Sequence, residues 1–246
     1  MSKSHTHLIN KIKSYLLGRI VERTQSNINS SLEVVYINGK YILNFENANY
    51  SYGTLQRVFE IEFNRLNIIK RPIRDVLILG FGAGSVASIL LDKYRMNCNI
   101  TGVEKDQKVI DLANKYFNVQ NFKNTEIICA DAYDFMIHNK NLYDLIIVDV
   151  YIDNLVPVNI ESELFLNQVK KSLKEKGLVV FNKMIFNKET EKSANTLYEI
   201  FGRAMGTFEY HKIHKHHTNL MLIYQHEPTQ KIAESSSNID SLHKIF

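Results

Sequence analysis

The run Val76-Leu77-Ile78-Leu79-Gly80-Phe81-Gly82-Ala83-Gly84-Ser85 constrains this chain more than any other stretch. Four apolar, strand-forming residues lead straight into glycines at alternate positions, and Val86, Ile89 and Leu90 follow at helical spacing. A buried strand, a tight turn and a helix in that order open a parallel α/β sheet, with the helix amides aimed at whatever sits over the turn. Gly80, Gly82 and Gly84 let a ligand approach the backbone closely. In such sheets this is where nucleotides and nucleotide-like cofactors bind. The motif is a weak signal alone, so its meaning rests on its surroundings.

From Asp75 onward, strands and helices alternate. The patterning predicts strands at 76–80, 99–104, 125–129, 144–149 and 177–182, and helices near 85–94, 106–117, 132–138, 161–174 and 189–202. That alternation implies a parallel sheet covered on both faces with right-handed crossovers. The apolar runs Leu145–Val148 and Leu178–Phe181 suit strands buried on both faces. The stretches 207–214 and 219–225 predict a terminal antiparallel hairpin.

Ahead of this unit, Leu8, Ile12, Tyr15, Leu16 and Ile20 predict an amphipathic helix over 8–23, docked on the domain or a partner rather than lying on a membrane. Asn38-Gly39 between two β-rich runs predicts a hairpin. A polar loop at 44–53 and a helix at 54–68 follow. The expected organisation is an N-terminal helix, hairpin and helix element over 1–70, a ligand-binding domain over 71–226, and a polar, mobile tail over 227–246. The N-terminal element suits assembly, such as a homodimer.

Composition bounds the partners. A net charge of +4 without a long basic run gives no nucleic-acid footprint. Lys11, Lys13 and Arg19 interrupt the apolar N-terminus, and no apolar run has the length to span a bilayer, so no membrane partner is expected. The 2 cysteines form no framework, which fits a reducing, cytoplasmic setting. His211, His214, His216 and His217 cluster near the last hairpin but lack a third ligand type at metal spacing, so they read as solvated turn histidines and no metal is assigned.

Three acids stand at the carboxyl ends of successive predicted strands, where open α/β sheets bind ligands. Glu104 lies about 20 residues beyond the glycines, where a carboxylate accepts both ribose hydroxyls. Asp131, followed by Ala132, suits an adenine amine, and Asp149 ends the strand beside the glycine turn. Each acid alone is also a common helix cap or turn residue. A dinucleotide fingerprint needs its third glycine where Ser85 stands, which favours S-adenosylmethionine.

With the terminal hairpin and Asp131, residues 75–225 resemble the class I S-adenosylmethionine-dependent methyltransferase fold. This implies an α/β, Rossmann-like seven-stranded sheet with a C-terminal antiparallel hairpin, here joined to the small N-terminal helix and β-hairpin element. A narrower resemblance is to the spermidine synthases. Asn38-Gly39, Ser51-Tyr52, the glycine turn, Val103-Glu104-Lys105-Asp106, Asp149, Leu155-Val156-Pro157 and Glu163-Leu164-Phe165 occur in that family's order. That family moves an aminopropyl group from decarboxylated S-adenosylmethionine to putrescine. The resemblance implies that Tyr52 matches the tyrosine of its Tyr-His-Glu motif and Asp149 its catalytic aspartate.

The chain departs from that pattern. Ala83 replaces an aspartate suited to the decarboxylated cofactor's amine, and Gly53 and Thr54 replace the histidine and glutamate. The family's acidic loop reads Asp149-Val150-Tyr151-Ile152-Asp153-Asn154 here, with its second acid displaced. Asp149, Asp153 and Glu161 are then the acids left for a cationic acceptor. The expected function is therefore an S-adenosylmethionine-dependent methyltransferase on a spermidine-synthase-like scaffold, acting on a small-molecule amine or hydroxyl. Its catalytic residues would be Asp149 and Tyr151, its cofactor site Gly80, Gly82, Gly84, Glu104, Asp131 and Ala132, and its substrate pocket Tyr52 and Asp153. The alternatives are an aminopropyltransferase using decarboxylated S-adenosylmethionine and a non-catalytic cofactor-binding relative.

Overall fold

The computed structural model describes residues 18–45, 48–49, 54–152, 155–215 and 217–227. Strands β1 (Arg19–Thr24), β2 (Leu32–Ile37), β3 (Lys40–Phe45) and β4 (Ala48–Asn49) form a four-stranded antiparallel sheet in chain order. The β2–β3 turn is the Asn38-Gly39 pair, with φ of 50° and 75°, and Ile37 pairs with Lys40 across it. Both residues sit in the left-handed region that the twist of a two-residue hairpin demands. Helix α1 (Thr54–Arg65) follows.

The main unit runs β5 (Asp75–Leu79), α2 (Ser85–Ser88, continued by a π turn over Ile89–Lys93), β6 (Asn99–Glu104), α3 (Gln107–Phe117), β7 (Thr125–Cys129), α4 (Ala132–His138), β8 (Tyr143–Val148), α5 (Glu163–Lys171), β9 (Leu173–Ile185), α6 (Lys188–Met205), β10 (Glu209–His214) and β11 (Thr218–Gln225). The seven strands are ordered β10-β11-β9-β8-β5-β6-β7. β5 to β9 are parallel, whereas β11 runs antiparallel to β9 and to β10. The expected Rossmann-like α/β sheet with its antiparallel terminal hairpin is the observed fold.

Strand alternation divides the core. Val76, Ile78, Leu145, Ile147 and Val180 face one apolar cluster, shared with Leu32, Val34 and Leu43 of the small sheet and Phe59 and Phe63 of α1. Leu77, Leu79, Ile146, Val148 and Phe181 face the other, against α5 and α6. Each strand residue is thus buried on one face or the other, which is why the sequence shows unbroken apolar runs.

Several expectations change. The helix expected over 8–23 falls mostly outside the described residues, and its last part is strand β1. Ile20 lies at helical spacing from Leu16, but β-branched Ile20, Val21 and Thr24 suit an edge strand, and 19–24 pairs antiparallel with 32–36. Within the 44–53 loop, Asn44 and Phe45 extend β3 and Ala48–Asn49 forms β4. The tail beyond 227 lies outside the described residues, as do Tyr52 and Asp153. No helix among the described residues is long and apolar enough to cross a membrane.

Candidate active site

The chain leaves β5 in one direction to build β6 and β7, then returns to build β8 and β9 on its other side. Strand order therefore reverses between β5 and β8, and the crevice at their carboxyl ends is where such sheets take ligands. A pocket lies there. Gly80, Phe81, Gly82, Ser85, Glu104, Asp131, Ala132, Asp149 and Tyr151 are among its walls. The described residues expected at the site are thus brought together, apart from Gly84, which is not among the walls.

The glycine turn is held by strand ends. The amides of Gly80 and Phe81 both donate to the Val103 carbonyl at 2.9 Å, and the Asp149 amide donates to the Leu79 carbonyl at 2.9 Å. Gly80, Gly82 and Gly84 have φ of 83°, 54° and 82°. Glu104 closes the turn from β6: Oε2 accepts from the Gly82 amide at 2.9 Å and Oε1 from the Asp106 amide at 3.0 Å. Burial pushes its carboxyl above the usual range, and the amides of Asp106, Gly82 and Lys105 oppose that rise. A carboxylate offers about four acceptor sites, so capacity remains for a ligand hydroxyl.

Asp131 is doubly engaged. Oδ1 accepts from the Tyr133 and Asp134 amides as the cap of α4, and Oδ2 pairs with Lys105 Nζ at 2.9 Å. Burial pushes its carboxyl up, but Lys105 and the two amides outweigh it and hold the group below the usual range. The bland helix-cap role therefore holds together with its place on the pocket wall.

Asp149 differs in kind. It is 8% exposed, and burial raises its carboxyl to about 7 against one opposing hydrogen bond, from Asn182 Nδ2 at 2.8 Å. Tyr151 is turned away from proton transfer. Its hydroxyl donates to the Asn182 carbonyl at 2.8 Å and accepts from the Met184 amide at 2.9 Å, which clamps the loop after β8 onto β9. Burial drives its phenol well above the usual range, so the catalytic role expected of Tyr151 becomes one of anchoring this wall.

Ala83 also departs from expectation. It is 1% exposed, belongs to the apolar cluster beneath the turn, and is not among the pocket walls. The missing charge at this position therefore says little about the pocket. Glu161 is not a free acid either, since buried Lys183 pairs with it and donates to Ser193 Oγ at 2.9 Å. His211 is no solvated turn residue: its Nδ1 lies 2.9 Å from Oε1 of fully buried Glu62.

Other residues at the site had no clear sequence signal. Ile28 and Asn29, in the β1–β2 loop, form a wall because Asn29 Nδ2 donates to Asp106 Oδ2 at 2.6 Å and Ser26 Oγ donates to the same oxygen. Ser85, which stands where a dinucleotide fingerprint has its third glycine, is 5% exposed and its Oγ has no hydrogen-bond partner among the described residues. A buried hydroxyl left unpaired on a pocket wall is suited to a polar group of a ligand.

Comparison with known proteins decides the family. Residues 66–223 match the model described as the Spermine/spermidine synthase domain. The chain belongs to this family. A probable polyamine aminopropyl transferase of Bifidobacterium longum is 35% identical over 130 residues, covering 51% of this chain and 28% of that protein. The chain spans between 28% and 50% of the length of the first three curated relatives it matches. Spermidine synthase from Thermotoga maritima shares the fold with a TM-score of 0.67 at 15% identity, over 84% of this chain and 72% of that one. Human methyltransferase-like protein 13, solved with SAH, shares it with a TM-score of 0.60 at 20% identity, over 74% and 86%.

These findings overturn the expectation of methyl transfer. The spermine/spermidine synthase model spans β5 to β10 and the pocket walls from Gly80 onward, and curated relatives matching this chain are named for aminopropyl transfer. Of the departures from the family pattern, Ala83 carries the least weight, because its side chain is packed in the core.

Proposed function

We propose that the chain catalyses transfer of an aminopropyl group from decarboxylated S-adenosylmethionine to an amine acceptor. The observation that carries this reading is Asp149, buried in the pocket beside the glycine turn with its carboxyl near neutrality. A free alkyl amine is protonated in water at neutral pH and is no nucleophile until it loses that proton. A buried carboxylate draws the ammonium in and takes the proton, and its proton affinity suits a base working near pH 7.

The pocket's charge supports a cationic donor. Glu104, Asp131 and Asp149 line it, while Lys105, its lysine among the described residues, is paired with Asp131. The glycine turn and Glu104 would hold the ribose side, Asp131 and Ala132 the adenine side, and Ser85 Oγ a polar group near the turn. The sulfonium supplies an activated carbon, so the protein's work is alignment, proton acceptance and exclusion of water. The acceptor ammonium gives one proton to Asp149, its neutral nitrogen bonds to the propyl carbon as the carbon–sulfur bond breaks, methylthioadenosine leaves, and the new secondary amine keeps its remaining two protons as an ammonium. Tyr52 and Asp153 are assigned to the acceptor side through the family motif alone.

The test is product identification. Incubation with decarboxylated S-adenosylmethionine and a series of mono-, di- and polyamines should give methylthioadenosine and an aminopropylated amine in equal amounts by mass spectrometry. Loss of Asp149 as Asp149→Asn should slow this by roughly 10²–10⁴-fold. No amine-dependent product from any acceptor would overturn the reading.

A further inference from the structure

Strand register places Asn182 beside Asp149. Val148 of β8 faces Phe181 of β9, so the next residues, Asp149 and Asn182, stand side by side at the pocket. Asn182 pairs with Met221 of β11, and Asn219, two residues from Met221, lies on the same sheet face. The side chains join in a line: Asn219 Nδ2 donates to Asn182 Oδ1 at 2.9 Å, and Asn182 Nδ2 donates to Asp149 Oδ1 at 2.8 Å. Asn182 is 0% and Asn219 4% exposed.

We propose that Asn182 is a positioning residue for Asp149, kept in its donating orientation by Asn219, an inference that rests on Asp149 being the proton acceptor. An asparagine amide presents either an oxygen or an amino group, and an ionised carboxylate only accepts. Asn219 occupies the oxygen of Asn182, which leaves the amino group for Asp149. Packing alone would be met by apolar residues such as the neighbouring Val180 and Phe181, because buried amides are costly unless bonded. The pair fixes Asp149 Oδ1 and leaves Oδ2 for the acceptor amine. It also favours the ionised form against the burial that raises this carboxyl.

The other titratable and charged groups about Asp149 are few among the described residues. Tyr151 follows on the same segment with its hydroxyl bound to β9, and Glu161 beyond it is paired with Lys183. Glu104 and the Asp131–Lys105 pair line the same pocket. The side-chain donor seen on Asp149 is Asn182.

The experiment is a carbon-13 NMR titration of the Asp149 carboxyl in the full chain, its signal assigned with Asp149→Asn. Asn182→Leu should raise the titration midpoint by about one unit or more, the worth of a hydrogen bond to a charged group. Asn219→Leu, which removes no contact of Asp149, should raise it by a smaller amount. The acid limb of the kcat profile should move with the midpoint in each variant. An unmoved midpoint in folded Asn182→Leu and Asn219→Leu overturns the inference, and if Asn182→Leu does not fold, Asn219→Leu decides alone. A raised midpoint in a protein that makes no aminopropylated product supports the positioning role and overturns the reading of function instead.

Discussion

A Cβ on Gly80 would sit 2.2 Å from the Asp149 carbonyl oxygen, so the first glycine of the turn and the acid of the next strand interlock through their backbones. The Asp149 amide is bonded to the Leu79 carbonyl in the same junction. The turn therefore positions the proposed base as well as the ligand. Because Gly80 also has φ of 83°, Gly80→Ala meets both a left-handed backbone and a backbone clash. It should cost about 3 kcal/mol or more, read as a lowered urea midpoint. A midpoint within error of the native protein would show that the junction yields freely.

Burial of the Asp149 carboxyl costs stability at neutral pH. Its folded pKa of about 7 lies above the ordinary value of 3.8, so between those values the folded chain binds the extra proton. Stability from this group is full below about pH 4 and is lost as pH rises through 7. Asp149→Asn removes the penalty and should be about 2–4 kcal/mol more stable than the native protein at pH 8, with the gap closing toward pH 4. Denaturant titrations at several pH values would show it, and a pH-independent difference would count against a raised pKa.

Glu104→Ala removes the carboxylate that ties the Gly82 and Asp106 amides together. Binding of the nucleoside donor should weaken by about 2–3 kcal/mol, since charge-assisted bonds to ribose hydroxyls are lost. Calorimetric titration of a folded variant with unchanged affinity would remove Glu104 from the ligand site.

Asn29→Ala deletes a buried bond to Asp106, the capping residue of α3. The variant should lose about 1.5–3 kcal/mol of stability and bind the donor less tightly, because the β1–β2 loop is a pocket wall. Urea unfolding and calorimetry together check both effects, and donor affinity unaltered in the variant would separate this loop from the ligand.

Much of the main sheet was legible because its strands carry the simplest signal there is. Strands at 99–104 and 125–129 and the helix at 132–138 fall where apolar runs, strand-end acids and caps indicate. Glu104, Asp131 and Asp149 converge because parallel strands bring their carboxyl ends to one edge. What escaped depends on register and side-chain direction. Asn182 and Asn219 are 37 residues apart and meet only through pairing of β9 with β11. Ala83 looked like a pocket residue because its neighbours are, yet its methyl is buried in the core. Ile20 fits a helical spacing and a β-branched strand equally, and only its partner strand decides.

The central claim is met most directly by competition between donors. The protein is given equal concentrations of S-adenosylmethionine and its decarboxylated form with an amine acceptor, and the nucleoside products are separated and quantified. The account predicts methylthioadenosine that depends on the amine and on Asp149, with no S-adenosylhomocysteine. Accumulation of S-adenosylhomocysteine, with methylthioadenosine absent, would contradict it.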